Sequence, residues 1–411
     1  MIEIVRKHQE RIRLLLNLLF VLYAALLPFS YAFTVFTGPL LILIFWILEG
    51  DLKTKRQKIL SQKALVFLLL FFLFTLLSLL WSSDWQSAFR ILIFYFAMTI
   101  VSTALYTSLL PKFVKPVLYA FLLSMFVSEV LLYGVFLEWW HFKKASIINP
   151  SPIMHHTLYS IFVAVTVLLL LGQMFDKTVP KTIKILELFF LASTIVNLFL
   201  NGGRTGQIGF LIAIFVFTIT YFGFRKKYLL RTFAAAVILF IGAYFSSPIF
   251  HQRVHQGILD IQGIVHGNFH SSWGLRMVMS KAGLQMLAEH PLVGFGVGDV
   301  MDEFHRFARR RRDLKPFHFL TYNTHVHEEW LQIALQTGLI GLSLFILFIY
   351  YLFRTPIDDP LTKALFYAVL TIFLFSFFTD VPLRKYTAGL FGFIIGYFLA
   401  QTNDKREKNY S

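Results

Sequence analysis

Uncharged apolar runs of about twenty residues return from one end of this 411-residue chain to the other. That is the length an α-helix needs to cross the hydrocarbon core of a bilayer. Inside lipid every backbone amide and carbonyl must be paired within the segment, so such runs become helices. The spans read as 14–33, 35–49, 64–80, 91–110, 116–137, 157–175, 183–200, 208–224, 232–247, 331–353, 364–382 and 387–401, the second and last being short. Composition agrees, with 57% hydrophobic and only 15% charged residues. A cytosolic enzyme, a secreted domain and a single-anchor protein are all excluded. The reading is an all-α polytopic membrane protein of about 12 transmembrane helices.

Lys and Arg concentrate on the segments that a cytoplasmic N-terminus would place inside, which predicts an N-in, C-in orientation. The basic stretch ahead of the first run resembles a signal peptide, but the many further spans favour a retained first helix. The net charge of +16 is therefore read by its distribution, and no nucleic-acid partner is expected. The absence of cysteine removes disulfides, thiolate catalysis and Cys-ligated metals.

Residues 1–247 hold spans one to nine, 248–330 form one long helical loop on the outer face, and 331–411 hold spans ten to twelve with a basic tail. The outer loop carries nine of the 13 histidines. It should contain a helix over 275–289, stopped by Pro291, then a turn at Gly294, Gly296 and Gly298. A second helix should start near Asp299 as N-cap, with Glu303 in its first turn. No internal duplication of the transporter kind is visible.

Three polar constellations stand at the outer ends of the spans. Asn323-Thr324-His325-Val326-His327-Glu328-Glu329-Trp330 runs into Gly338-Leu339-Ile340-Gly341. Thr324 fits an N-cap, which would put His327 at the third helical position. A helix N-terminus disfavours imidazolium, leaving a neutral histidine able to accept a proton, while Glu328 pushes the other way. The simpler reading is an interfacial histidine followed by two glutamates that complement the helix dipole. As metal ligands, His325 and His327 would point to different helix faces, unlike the i, i+4 pair of a zinc helix. Asp299, Asp302 and Glu303 are better suited to starting the second loop helix, and no metal is assigned.

The second constellation is Asn201-Gly202-Gly203-Arg204-Thr205-Gly206. Glycines give Arg204 backbone freedom, and its bidentate fork suits a phosphate; a snorkelling arginine in a short turn fits the same residues. In the third, Trp273-Gly274-Leu275-Arg276 puts a cation near a helix start, where an anion would have to compensate it. The downstream His290-Pro291-Leu292-Val293-Gly294-Phe295-Gly296 is no dinucleotide fingerprint, since no strand precedes it. Its glycines suit a tight turn re-entering the headgroup region.

Together these residues resemble the bacterial O-antigen ligases, whose superfamily includes O-antigen polymerases and some protein O-oligosaccharyltransferases. His327 followed by Gly338 and Gly341 fits the family's histidine–glycine signature. Arg204, then Arg276 with its glycine-rich sequel, then a long outer loop before the histidine keep the family's order. Glu328 departs from the pattern, which usually has Asn, Ser or Gln there. Asp380 and Arg384 on the last outer loop resemble a further polar pair of some members.

The resemblance implies a GT-C-like, inverting glycosyltransferase of lipopolysaccharide biosynthesis in the bacterial inner membrane, its active site facing the periplasm. It would move a glycan from undecaprenyl pyrophosphate to lipid A–core, with no metal or other cofactor. His327 would be the base, and Arg204 and Arg276 would stabilise the pyrophosphate leaving group. His325, Glu328, Asp380 and Arg384 would contact substrate. The polymerase and the protein O-oligosaccharyltransferase differ in acceptor. A flippase would place charges or broken helices at the bilayer midplane, whereas the polar residues here cluster at outer ends of spans.

The run Arg309-Arg310-Arg311-Arg312, with Lys315 behind it, lies on the side the positive-inside rule does not explain. Membrane phospholipid headgroups and the phosphates of lipid A–core both fit it. In the second case Arg310 and Arg311 bind the acceptor while Phe304 and Phe307 rest against the acyl boundary.

Overall fold

The computed structural model describes residues 2–143, 145–147 and 149–408, and no strand occurs among them. The helices in order are α1 (Ile2–Leu26), α2 (Gly38–Leu48), α3 (Leu52–Ser61), α4 (Lys63–Leu77), α5 (Trp85–Ser108), α6 (Pro111–Phe136), α7 (His156–Phe175) and α8 (Lys181–Leu200). Then come α9 (Arg204–Phe222), α10 (Lys226–Ser246), α11 (Pro248–Val265), α12 (Ser272–Leu287), α13 (Val300–Arg310), α14 (Glu329–Phe353), α15 (Pro360–Thr379) and α16 (Tyr386–Lys408). Each expected span coincides with helix over most of its length, although α1 stops at Leu26, short of the expected 33. Among the described residues, nine helices are long and apolar enough to cross a membrane by themselves, and Phe33–Leu48 with Leu52–Ser61 makes up to a tenth as a pair bent by 117°. The bend has a local cause. Gly50 and Asp51 both take positive φ, and Lys55 turns back to pair with Glu49 at 2.7 Å.

The centre of the bundle is built by α9 against α15, α16 against α5 and α14 against α4. Small residues allow the close approaches: a Cβ on Gly206 would stand 2.1 Å from the Ser160 carbonyl oxygen, and one on Gly392 2.6 Å from that of Met98. Such small-residue contacts let helix backbones approach in the absence of a hydrophobic drive between them. α10 lies outermost, with Ala243 its one buried residue.

The segment between α10 and α14 has its own apolar cluster, including Met279, Met286, Val300, Phe304, Leu320 and Val326. α12 begins ahead of the expected 275 because Ser271 caps it, its hydroxyl accepting from Gly274 N at 3.1 Å. Asp299 precedes α13 as expected, yet its side chain does not cap that helix. The carboxylate instead accepts from Ser83 N (2.7 Å), Asp84 N (2.6 Å) and the Ser83 hydroxyl (2.9 Å), fastening the segment before α13 to the loop between α4 and α5.

The glycine-rich turn serves a break in α14. Gly338 has φ 64° and ψ −169°, outside the helical region. The backbone of residues 291–296 lies across this break. Leu339 N and Ile340 N donate to the carbonyls of Pro291 (2.8 Å) and Leu292 (3.2 Å). Phe295 N and Gly296 N donate to the carbonyls of Leu335 (2.8 Å) and Gln336 (3.1 Å). The polar groups that an interrupted helix exposes are thus paired, as burial requires. Gly294 (φ 68°) and Gly296 (φ 90°) supply the left-handed backbone that this crossing strand of chain needs. Gly341 is used differently, its missing Cβ leaving room beside the Thr337 side chain and Phe74 of α4.

Candidate active site

The segment before α14 departs from the expected helix. Glu328, not Thr324, is the N-cap: its carboxylate accepts from Trp330 N (3.2 Å) and Leu331 N (2.8 Å). His327 therefore lies ahead of the helix, with φ 56°, a left-handed conformation rare for a residue with a side chain. The physical reason is a set of competing side-chain bonds. Asn323 Nδ2 donates to the His325 carbonyl (2.8 Å), Gln332 Oε1 accepts from Val326 N (3.3 Å), and the Val326 side chain is fully buried. Burial raises the Glu328 carboxyl, although the two amides it caps lower it. Its role in the structure is to start α14.

Because residues 325–327 are not helical, the two histidines do not diverge as their spacing suggested. Their ring centroids are 4.0 Å apart. Both face one carboxylate oxygen: His327 Nδ1 stands 3.3 Å and His325 Nε2 3.4 Å from Asp380 Oδ1. Asp380 ends α15 in extended conformation, and the same oxygen accepts from Val381 N at 2.9 Å. Burial would raise this carboxyl, but the two facing imidazoles outweigh it and hold the group well below the usual carboxylate range. Burial pushes His325 down, against the opposing pull of Asp380. On the far side of its ring, Nδ1 of His325 meets the Thr324 hydroxyl at 2.8 Å. The three groups are close enough to hold a metal ion, so the spacing argument against one does not survive the fold.

A cavity of about 540 Å³ is lined by Arg204, Arg253, Arg276, His155, His156 and Thr379, among others. Arg204 and Arg276, far apart in sequence, thus share one chamber. Arg276 Nη1 donates to the Thr379 carbonyl at 2.6 Å, next in sequence to Asp380. Arg204 lies over the Trp273 ring at 5.4 Å and reaches Asp260 at 3.8 Å. The glycines around Arg204 act through space rather than through flexibility. A Cβ on Gly202 would stand 3.1 Å from the Arg253 guanidinium, and one on Gly203 2.5 Å from the His156 carbonyl oxygen. Arg253 and His155 were not singled out from sequence. They sit in no motif, and only the packing of α7 against α9 and of α11 against α8 and α12 brings them in.

A second cavity, about 470 Å³, is lined by Tyr31, Phe36, Arg90, Phe94, His325 and Arg384 among others. Arg384 Nη1 donates to the Thr324 carbonyl at 2.8 Å, so it holds the segment that carries both histidines. Arg310 and Arg311 line neither cavity. Arg311 pairs with Asp313 at 2.9 Å and lies 5.6 Å from the Phe307 ring centre. Phe304 is fully buried in the apolar cluster around α12 and α13, so it cannot rest against acyl chains as expected.

A polytopic helical membrane protein with a histidine–aspartate cluster beside an arginine-lined chamber is the class these features define. Residues 188–346 match the family model described as O-antigen ligase (Wzy_C), which supports membership of the O-antigen ligase superfamily. The matched stretch includes Arg204, Arg253, Arg276, His325, His327 and Gly338, while Asp380 and Arg384 lie beyond it. No curated protein matches the chain.

Proposed function

We propose that this protein is an O-antigen ligase that moves a glycan from undecaprenyl pyrophosphate to a hydroxyl of lipid A–core, at the periplasmic face of the inner membrane. The observation that carries the reading is the pair His327–Asp380 beside the chamber of Arg204 and Arg276. A carboxylate facing Nδ1 favours a proton on that nitrogen and leaves the Nε2 lone pair free, as in other histidine–aspartate pairs. The acceptor hydroxyl attacks the anomeric carbon while its proton passes to Nε2. The bond from that carbon to the pyrophosphate oxygen breaks, its electron pair leaves with the pyrophosphate, and the configuration inverts. Asp380 compensates the imidazolium that forms. Permanent guanidinium charge on Arg204 and Arg276 stabilises the leaving group, a task often given to a divalent ion, so transfer needs no metal. Purified protein supplied with lipid-linked glycan and, separately, lipid A–core, a second lipid-linked glycan or a Ser/Thr peptide tests the reading. Product with lipid A–core alone supports the ligase. Product with the second glycan or the peptide instead would assign the polymerase or the protein transferase.

A further inference from the structure

The two histidines and the aspartate have a geometry that general-base catalysis alone does not require. A tetrahedral ion with bonds of about 2.0–2.1 Å holds its ligand atoms about 3.3–3.4 Å apart. The edges from Asp380 Oδ1 to His327 Nδ1 and to His325 Nε2 are 3.3 and 3.4 Å. All three ligand atoms lie within 4.8 Å of one another. His327 Nδ1 is buried and has no well-aligned hydrogen-bond partner. His325 is oriented from behind, its Nδ1 meeting the Thr324 hydroxyl at 2.8 Å, which leaves Nε2 for a ligand. Outer-shell bonds of this kind fix the tautomer of metal-binding histidines. Two imidazoles and one carboxylate suit Zn²⁺ and its neighbours rather than Mg²⁺ or Ca²⁺, which take oxygen sets.

We infer that His325, His327 and Asp380 form a three-ligand site for Zn²⁺, and that the bound ion switches transfer off. The inhibitory half rests on the proposed role of His327 as base. An imidazole bound to metal through Nδ1 carries its proton on Nε2, the atom that must accept the acceptor's proton. Metal and catalysis therefore compete for one ring. No bond to substrate is involved, and removal of the ion restores the free tautomer. The fourth position stays open, as in zinc sites that are not purely structural. Arg384, tied to Thr324 beside His325, adds positive charge that keeps the ion exchangeable.

The full-length protein in detergent or nanodiscs, stripped with chelator, is titrated with Co²⁺ as a spectroscopic probe and then with Zn²⁺. The inference expects one equivalent of Co²⁺ with the visible absorption of a tetrahedral site, displaced by Zn²⁺. Transfer should be full after stripping and should fall as Zn²⁺ is added. Asp380→Asn and His325→Gln, each checked by thermal unfolding, should lose the Co²⁺ spectrum; two variants guard against one failing to fold. No Co²⁺ spectrum, or one unchanged in a folded variant, overturns the site. Zn²⁺ that binds with turnover unaffected overturns the inhibition. A stripped enzyme that is inactive and revived by Zn²⁺ overturns both the inhibition and the metal-free transfer reading, while leaving the site. Stripped enzyme that transfers glycan yet binds no metal leaves the transfer reading standing and removes this inference alone.

Discussion

Gly338 meets Leu292 backbone to backbone: a Cβ added to Gly338 would stand 2.1 Å from the Leu292 carbonyl oxygen. The break in α14 and the chain that crosses it are one construction. Gly338→Ala combines that collision with a backbone region that only glycine occupies readily, worth about 1–3 kcal/mol by itself. The expected result is a lowered melting temperature in detergent and a poor yield of folded protein. Gly341→Ala should be milder, since its Cβ would meet the Thr337 side chain and the edge of Phe74 rather than backbone.

His327→Ala should leave the bundle folded and reduce kcat about 10²–10⁴-fold. Asp380→Asn keeps the shape but loses the charge facing Nδ1, so it should lower kcat with little change in KM for the donor. His325→Ala should do less than either, acting through the shared carboxylate. Near-normal turnover in well-folded His327→Ala would remove the base from this residue.

At Arg204 and Arg276, lysine retains charge but loses the bidentate fork. Both Arg→Lys variants should remain clearly impaired in single-turnover transfer. Arg253→Gln, in the same chamber, should raise KM for the donor. Activity should survive a strong chelator. An Arg204→Lys enzyme indistinguishable from wild type would place the pyrophosphate elsewhere.

His155 caps α7 with Nδ1, which accepts from Thr157 N at 3.4 Å, an arrangement that needs the neutral ring. Burial and then the nearby Lys385 hold its pKa below the ordinary 6.5, with Asp380 opposing. The folded protein therefore binds fewer protons there than the unfolded chain. The stability this gives is present above pH 6.5 and is lost as pH falls through the lowered value. Melting curves should show wild type falling relative to His155→Asn, which can cap without titrating, as pH drops below that point. Parallel curves would show that the cap does not depend on the neutral ring.

Replacing Arg310 and Arg311 with Gln should raise KM for a phosphate-bearing acceptor and leave KM for the donor nearly unchanged. The effect should shrink with added salt. Both residues lie away from the two cavities, so equal weakening toward donor and acceptor would reduce the cluster to a membrane-surface patch.

The helices were legible because a bilayer permits little besides a helix, and an apolar run announces one. The arginines were legible as oddities, Arg276 for its place near a helix start and Arg204 for its glycines, although those glycines turned out to admit Arg253 and α7. The histidine cluster was not legible. By residue type Thr324 is the better cap, and Glu328 wins because of Asn323, Gln332 and buried Val326, side chains whose partners only the folded chain supplies. With the wrong cap, His325 and His327 point apart, and Asp380 has no reason to be near them. Asp299 misled in the same way, a good capping residue diverted to four donors on a distant loop.

That diversion has a consequence for traffic. The segment between α12 and α14 is held at two places, by Asp299 to the loop before α5 and by residues 291–296 to α14, so both anchors must break together for it to lift. For the lipid-linked donor proposed above, that favours entry into the arginine chamber from the side, between helices, over entry from above. Met277 and Phe378, which line that chamber and are 51% and 66% exposed, would give such an entrance an oily sill.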